Sequence, residues 1–346
     1  MLNLDMFTGF IQRVLRGLTI IAVSFFIFSI QSCDSKDEEP ENPWNPASAL
    51  YLVNYLGNSQ NIHPKVLYFE EGWNGYKFWM AYTPYPDGFT DAENPCMAVS
   101  DDGIVWKVPS GLSNPLAFAP VRGYNSDTHL VYDQAGDRLE CWWREFDETT
   151  SLDAICRRVS TDGVHWEEKE VILPYSKDFP CRLSPAVWIE DDEYKLVYSD
   201  CSKLFLITVK RGEEAQKWSS PVELPVDWGE LRAWHQDVVT DARGDWQMVV
   251  CCFGPGGTNN TADLYYVEVK GDLSAATDPV MIVARGENED DFDHRSIYRS
   301  SLVWVGDTVY LYYSAIDEDW KRHMALMTGP SVFSLSLFPV REVKGN

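Results

Sequence analysis

After residue 60 the apolar positions fall into short runs that alternate with polar residues, and the runs come in pairs. Each pair is a strand of mixed polarity, a short turn, and a second strand rich in aromatic and β-branched residues. Five copies stand out: His63–Phe69 with Gly75–Tyr82, Asp127–Tyr132 with Arg138–Arg144, Ser184–Ile189 with Glu193–Ser199, Asp237–Thr240 with Asp245–Cys252, and Ser300–Val305 with Thr308–Ser314. The residues between the runs are hairpin turn formers: Asn74-Gly75, Ala135-Gly136-Asp137, Asp191-Asp192, Arg243-Gly244-Asp245 and Gly306-Asp307. Copies recur every 50–65 residues or so, about one four-stranded blade each. Helical spacing is nearly absent. The pattern predicts an all-β chain, a five-bladed β-propeller spanning residues 51–346. A propeller also hides the edges of many short strands. A β-sandwich, the other all-β option, does not need the same hairpin at this spacing.

A second repeat supports the blades. Ser100–Trp106 and Ser160–Trp166 share the pattern S-x-D-G-x-x-W, in which Asp and Gly set a turn and Trp packs back under the blade. The pattern resembles the outer-strand turns of sialidase-like and family 43-like propellers, where it is structural, so Asp102 and Asp162 receive no catalytic role. Trp218 with Ser219-Ser220-Pro221 reads as a degenerate third copy.

The start of the chain follows another pattern. Arg13 and Arg16 precede an apolar run, Leu18–Ile30, of signal-peptide length. Ser29-Ile30-Gln31-Ser32-Cys33 resembles the lipobox of bacterial lipoproteins, which implies a signal peptide over 1–32 and lipidation at Cys33. An acidic, proline-containing tether follows within 33–50, with no apolar periodicity. Its Ser35-Lys36-Asp37-Glu38-Glu39 resembles the surface-export signal of Bacteroidetes lipoproteins. The expected location is therefore the bacterial outer membrane, reached through a lipid anchor only.

Charge narrows the partners. A formal net charge of −24 argues against nucleic acid and against an anionic bilayer, since both need basic patches. The 14 Trp, 17 Tyr and 16 Phe suit clefts in which sugar rings stack on aromatic planes, though they suit propeller cores as well. No cysteines are spaced C-x-x-C, so Cys96, Cys141, Cys156, Cys181, Cys201, Cys251 and Cys252 read as small buried hydrophobes, with room for one disulfide.

In a propeller the innermost strands begin near the axis, and their first side chains converge on one funnel. Here those positions hold His63; Asn125, Ser126 and Asp127; Arg182 and Ser184; His235, Gln236 and Asp237; and Tyr298, Arg299 and Ser300. So many polar strand starts favour a site over a core, because polar groups are costly to bury without partners. Cleavage of a glycosidic bond requires two carboxylates. The candidate pool is Asp127, Glu145, Asp237 and Glu93. Candidates for holding a sugar are His63, Tyr85, Asn125, Arg144, Ser184, His235, Tyr298 and Arg299. The histidines are read first as hydrogen-bond partners of a hydroxyl; general base and metal ligand are the other roles open to an imidazole. Glu145 beside Arg144 also reads as a plain ion pair, and Trp142 and Trp143 alternate faces, so at most one reaches the funnel. The acidic run Glu287–Asp293 lacks calcium-loop spacing and reads as a solvated loop. No cofactor and no metal are expected, and no phosphate-loop, dinucleotide, G-x-S-x-G or H-E-x-x-H motif occurs.

The five hairpins resemble the five-bladed glycosidase propellers, the group that includes families 32, 43, 62, 68, 117 and 130, over roughly residues 55–340. Family 43 carries an Asp base on the first blade, a second Asp on the second blade and a Glu acid on the third. The matching positions here are His63, Asp127 and Ser184, so two of the three depart from the pattern. The resemblance implies a glycoside hydrolase-like enzyme acting on a plant or host polysaccharide fragment by carboxylate acid/base catalysis. The alternative is a non-catalytic glycan-binding surface lipoprotein with an oligosaccharide or polysaccharide partner.

Overall fold

The computed structural model describes residues 50–177, 182–214 and 217–338. Cys33, the signal segment, nearly all of the tether and Cys181 lie outside the described residues. Within them there are nineteen strands and no α-helix; Pro86–Gly88 and Thr90–Ala92 form short 3-10 turns.

The strands form five antiparallel sheets in chain order. Blade one contains β1 (Asn61–Trp73), β2 (Tyr76–Pro84) and β3 (Cys96–Ser100). Blade two contains β4 (Gly123–Asp133), β5 (Arg138–Asp147), β6 (Leu152–Ser160) and β7 (Glu170–Leu173). Blade three contains β8 (Leu183–Glu190), β9 (Glu193–Ser199), β10 (Leu204–Lys210) and β11 (Val222–Glu223). Blade four contains β12 (Arg232–Thr240), β13 (Trp246–Phe253), β14 (Asp263–Val269) and β15 (Val280–Val283). Blade five contains β16 (Ser296–Val305), β17 (Thr308–Ile316), β18 (Arg322–Ser331) and β19 (Ser334–Leu337). The first strands β1, β4, β8, β12 and β16 touch in that cyclic order, and β16 returns to β1, which closes the ring. The chain is a five-bladed β-propeller.

Blade one departs from the four-strand expectation: a lone Val99–Lys107 bridge stands where a fourth strand would be. Leu50 donates its backbone N–H to Met324 O at 2.6 Å, and Leu50 and Leu52 pack with Met324, Leu326 and Tyr312 of blade five. The hairpins behave as their residues dictate. Asn74 and Gly75 (φ 45° and 88°) and Asp191 and Asp192 (φ 50° and 62°) are left-handed at both central positions, matching the strand twist.

Apolar residues fill the wedges between neighbouring blades. Trp143 packs with Trp79 and Leu130 between blades one and two, while Trp142 packs with Tyr194 and Leu196 between blades two and three. Alternation thus sends the two tryptophans into adjacent wedges. The S-x-D-G-x-x-W turns lock the wedges from outside. Asp102 Oδ1 accepts the amides of Ile104 and Val105, each at 2.8 Å, and Trp106 Nε1 donates to Gly103 O at 3.1 Å; Asp162 and Trp166 repeat the arrangement. Glycine is required in these turns twice over. Gly163 has φ 74°, and a Cβ there would lie 2.1 Å from the Trp79 ring of the preceding blade. Trp218 donates to Glu214 O in a related loop. The described cysteines are all free thiols.

Candidate metal centre

Every innermost strand breaks register near its start, and β1 does so again near its end, between Tyr68 and Trp73. The pairing skips between Ile62 and Lys65, Ser126 and His129, Leu183 and Ala186, Ala233 and His235, and Ile297 and Ser300. Each skip inserts one extra residue, a β-bulge that re-aims the local side chains. In blades one to three the bulge puts His63, Asp127 and Ser184 in the left-handed region, at φ 57°, 56° and 57°. A non-glycine residue held there costs on the order of 1–3 kcal/mol and persists where the surroundings enforce it, often at functional sites.

The bulges bring three ligating side chains together from three blades. Asp127 Oδ1 lies 3.3 Å from His63 Nε2 and 3.2 Å from His235 Nδ1. One donor atom from each residue lies within 4.8 Å of the other two. All three side chains are buried, yet His63 Nε2, Asp127 Oδ1 and both ring nitrogens of His235 have no hydrogen-bond partner. Buried polar atoms are normally satisfied, so a cluster of orphans aimed at one point needs something to aim at. Two imidazoles and a carboxylate suit a divalent first-row ion and leave coordination positions open, the mark of a catalytic rather than a structural site.

The surroundings set the protonation states that ligation needs. Burial pushes His63 well below the ordinary imidazole range, against the pull of Asp127; burial lowers His235 too. Burial works to raise Asp127, but the two imidazoles and then Arg144 outweigh it and hold the carboxyl well below its usual value. His63 Nδ1 lies 2.7 Å from Thr83 Oγ1 and 3.1 Å from the Asp127 amide nitrogen. The Asp127 amide donates to Nδ1, and the Thr83 hydroxyl shares that nitrogen, so two outer contacts fix the orientation of the ring. Asp127 Oδ2 takes the Ser126 hydroxyl at 3.3 Å and has Arg144 Nη1 at 3.9 Å; Arg144 is itself anchored on Asp153 at 2.7 Å.

Glu93 completes the cup. It is buried, its Oε2 stands 3.9 Å from His63 Nδ1, and burial followed by the Asp127 charge pushes its carboxyl well above the usual range. The Tyr298 ring lies 4.6 Å from His235 and 5.3 Å from His63, with Trp234 behind it at 4.5 Å. Tyr85 stacks under the Arg322 guanidinium at 4.6 Å, and Tyr124 lies 5.5 Å from that of Arg144.

Other candidates are engaged elsewhere. Asp237 uses both oxygens, Oδ1 for Lys65 Nζ at 2.6 Å and Oδ2 for the Leu302 amide at 2.8 Å. Glu145 takes the Tyr175 hydroxyl at 2.8 Å and Lys169 Nζ at 2.7 Å, on the face of β5 opposite Arg144. It is not paired with Arg144, so the ion pair expected between these neighbours is replaced by contacts to Lys169 and Tyr175. Arg299 is fully buried and donates from Nη2 to His129 Nδ1 and Pro185 O, both at 3.0 Å. Asn125 accepts from Trp143 Nε1 at 2.9 Å and donates to Asn94 at 3.1 Å. Ser184 keeps an unpartnered hydroxyl at the third bulge. Thr83, Tyr124, Trp234 and Arg322 are not among the residues expected from the strand starts: Thr83 lies at the end of the second strand β2, Arg322 opens the third strand β18, Trp234 lies in the β12 bulge, and Tyr124 sits at the head of β4, one residue before Asn125. The aromatic run Tyr82–Tyr85 was the signal closest to Thr83.

No protein-family model matches the chain. It is 28% identical over 334 residues to an A type blood N-acetyl-α-D-galactosamine deacetylase of Flavonifractor plautii, an alignment that covers 80% of this chain and 42% of the relative. The chain thus spans less than half the length of that curated relative. A crystal structure of an N-acetylgalactosamine deacetylase from F. plautii, in complex with blood group B trisaccharide, superposes with a TM-score of 0.66 at 23% identity, covering 82% of this chain and 94% of that one. An α-L-arabinofuranosidase from Podospora anserina in complex with cellotriose gives 0.56 at 11% identity, covering 85% and 96%. An exo-β-1,3-galactanase from Phanerochaete chrysosporium with β-1,3-galactotriose gives 0.56 at 10% identity, covering 84% and 66%. The propeller fold is thus shared with a deacetylase and with glycoside hydrolases.

Proposed function

We propose that the chain is a metal-dependent carbohydrate deacetylase, which hydrolyses the N-acetyl group of an amino sugar held in the cup. The observation that carries this reading is the convergence of orphaned donor atoms from His63, Asp127 and His235. The F. plautii relative, by its name a deacetylase of an N-acetylated sugar, supports it. A divalent ion on the three ligands would polarise the amide carbonyl and acidify a water. Glu93 is the remaining uncommitted carboxyl in the cup and is placed to take a proton at one step and return it to the departing amine. Tyr298, Trp234 and Tyr85 wall the cup with aromatic surface for the apolar face of the sugar.

Glycosidic cleavage by paired carboxylates has weaker support. Of the four expected acids, Asp237 and Glu145 are committed to cationic partners, and Asp127 faces two imidazoles. The test is acetate release from methyl N-acetyl-α-D-galactosaminide by the full chain, before and after chelation and with Zn²⁺, Mn²⁺ or Co²⁺ restored. Loss with chelator and recovery with metal are expected. Liberated methanol with no acetate, insensitive to chelator, would overturn the reading in favour of a glycosidase. We further propose surface display through a lipid on Cys33. Radiolabelled palmitate should enter the wild-type chain and not Cys33→Ala; equal labelling would reject the anchor.

A further inference from the structure

Hairpin geometry isolates one residue at the mouth of the cup. Trp320 sits in the loop joining β17 to β18, where Trp320 N donates to Asp317 O and Asp317 N to Lys321 O, each at 3.1 Å. Its φ is +63°, a conformation that favours glycine or asparagine. Among the described residues with positive φ, only Leu273 and Trp320 carry a large apolar side chain. Leu273 packs against the core between blades three and four, so burial compensates it. Trp320 joins no core cluster and is 41% exposed. Backbone strain is therefore maintained to display an indole, not to bury one.

The display is built. The Arg295 guanidinium lies 4.2 Å from the indole ring and is held by Glu318 at 2.8 Å. That contact covers one ring face and braces the ring. The Trp320 carbonyl accepts from Arg322 Nη1, whose guanidinium stacks on Tyr85. Lys321 pairs with Asp87, and Gln60 donates to Asp87 at 3.2 Å, which ties this loop to the segment leading to Glu93. Register puts both loops at the cup end of the blades: Ile316 pairs with Ser296, the first residue of β16, and Pro84 pairs with Asn61, the first residue of β1.

We propose that Trp320 is a stacking platform for a second sugar ring, so that the cup selects an oligosaccharide over a free monosaccharide. This rests on the reading of the cup as a carbohydrate site. The chemistry is that of the walls within: a sugar lays its C–H face on an aromatic plane.

The test uses Trp320→Gly in the full chain, because glycine adopts the observed φ freely and keeps the hairpin. Melting temperature should hold or rise. KM for A-type trisaccharide in the acetate-release assay should rise about 10-fold, the scale of one aromatic stacking contact, while KM for methyl N-acetyl-α-D-galactosaminide stays within about twofold. Trp320→Phe should recover most of the difference. Unchanged KM for both sugars, or an equal rise for both, overturns the platform; an equal rise would mean that Trp320 acts on the cup through Arg322. If acetate is released from neither sugar, titration calorimetry with the same pair decides. Trisaccharide binding weakened by Trp320→Gly upholds the platform and rejects the deacetylase alone. Wild-type protein that binds neither sugar rejects both.

Discussion

The axis of the propeller carries two polar layers, two residues apart along the same strands, and they are opposites. His63, Asp127 and His235 form the outer layer; Lys65, His129 and Asp237 form the inner one. The inner layer is stitched together. Lys65 pairs with Asp237 from blade one to blade four, Asp237 also takes the Leu302 amide, and His129 accepts from Arg299 while donating from Nε2 to Val187 O at 3.0 Å. The outer layer also pairs histidine with aspartate and is equally buried, but it has no lysine, and His63 Nε2, Asp127 Oδ1 and both His235 nitrogens are crowded together and unsatisfied. Burial and polarity do not separate a site from a staple. What separates them is whether partners within the chain exhaust the polar atoms.

The comparison predicts opposite responses to the same kind of substitution. Asp127→Asn keeps the side-chain shape and suits the left-handed backbone, but removes the charge from the ion site. Acetate release should fall by about 10⁴-fold, some 5 kcal/mol of transition-state stabilisation, and bound metal measured by mass spectrometry should be lost. The protein should stay folded with a modestly lower melting temperature, because asparagine can still accept the Ser126 hydroxyl while the attraction between Arg144 and the carboxylate is lost. A stable, metal-loaded, active Asp127→Asn would erase the distinction between the layers.

Asp237→Asn should do the reverse. Breaking a buried pair strands Lys65, and urea unfolding should report a loss of about 3 kcal/mol, with turnover per folded molecule retained. Adding Lys65→Met should recover most of that stability, since no charge is then left buried. A large loss of turnover in well-folded Asp237→Asn would return Asp237 to the candidate catalytic acids.

These pairs also explain how far the sequence could be read. Hairpin turns and strand rhythm are local, so the five blades and their order are legible from Asn74-Gly75 through Gly306-Asp307. Convergence of the strand starts on the axis follows from the fold. The division of labour there does not. Asp127 and Asp237 look alike in sequence, each two residues from a histidine, and Asp237 is committed by Lys65, which lies 172 residues away in sequence. Glu145 is claimed by Lys169 and Tyr175 from beyond its own hairpin. The bulges are equally hidden, because a one-residue register skip shows only against the partner strand. Without them the sequence leaves His63 and His235 open as hydroxyl partners, general bases or metal ligands, and does not show that their ring nitrogens meet at Asp127.

Glu93 tests the outer layer from a third side. Glu93→Gln keeps the volume and removes the mobile proton, so turnover should drop about 10²-fold with metal content unchanged. Stability should hold or improve, because an ionisable group is no longer confined in a buried cup. If metal is lost along with activity, Glu93 belongs with the ligands, and the cup has no separate proton carrier.

The smallest expected effect sharpens the rule at the outside of the molecule. Asp102 resembles the inner layer in having partners within the chain, since its Oδ1 accepts the Ile104 and Val105 amides and the Ser100 hydroxyl at 2.9 Å, yet it lies in a solvent-facing turn. Partial burial works to raise its carboxyl, and the amides and the Ser100 hydroxyl outweigh that and lower it. Asp102→Ala should therefore cost about 1 kcal/mol at neutral pH and leave turnover alone. A carboxyl depressed by folding stabilises only while ionised. The wild-type advantage should be complete above the unfolded value, about pH 4, and should shrink as pH falls through the lower folded value. Urea curves for both proteins at pH 7 and pH 3 measure that gap. A gap of equal size at both would mean that the turn uses Asp102 for its shape, and that partnered charge on the rim contributes nothing comparable to the Lys65–Asp237 staple at the axis.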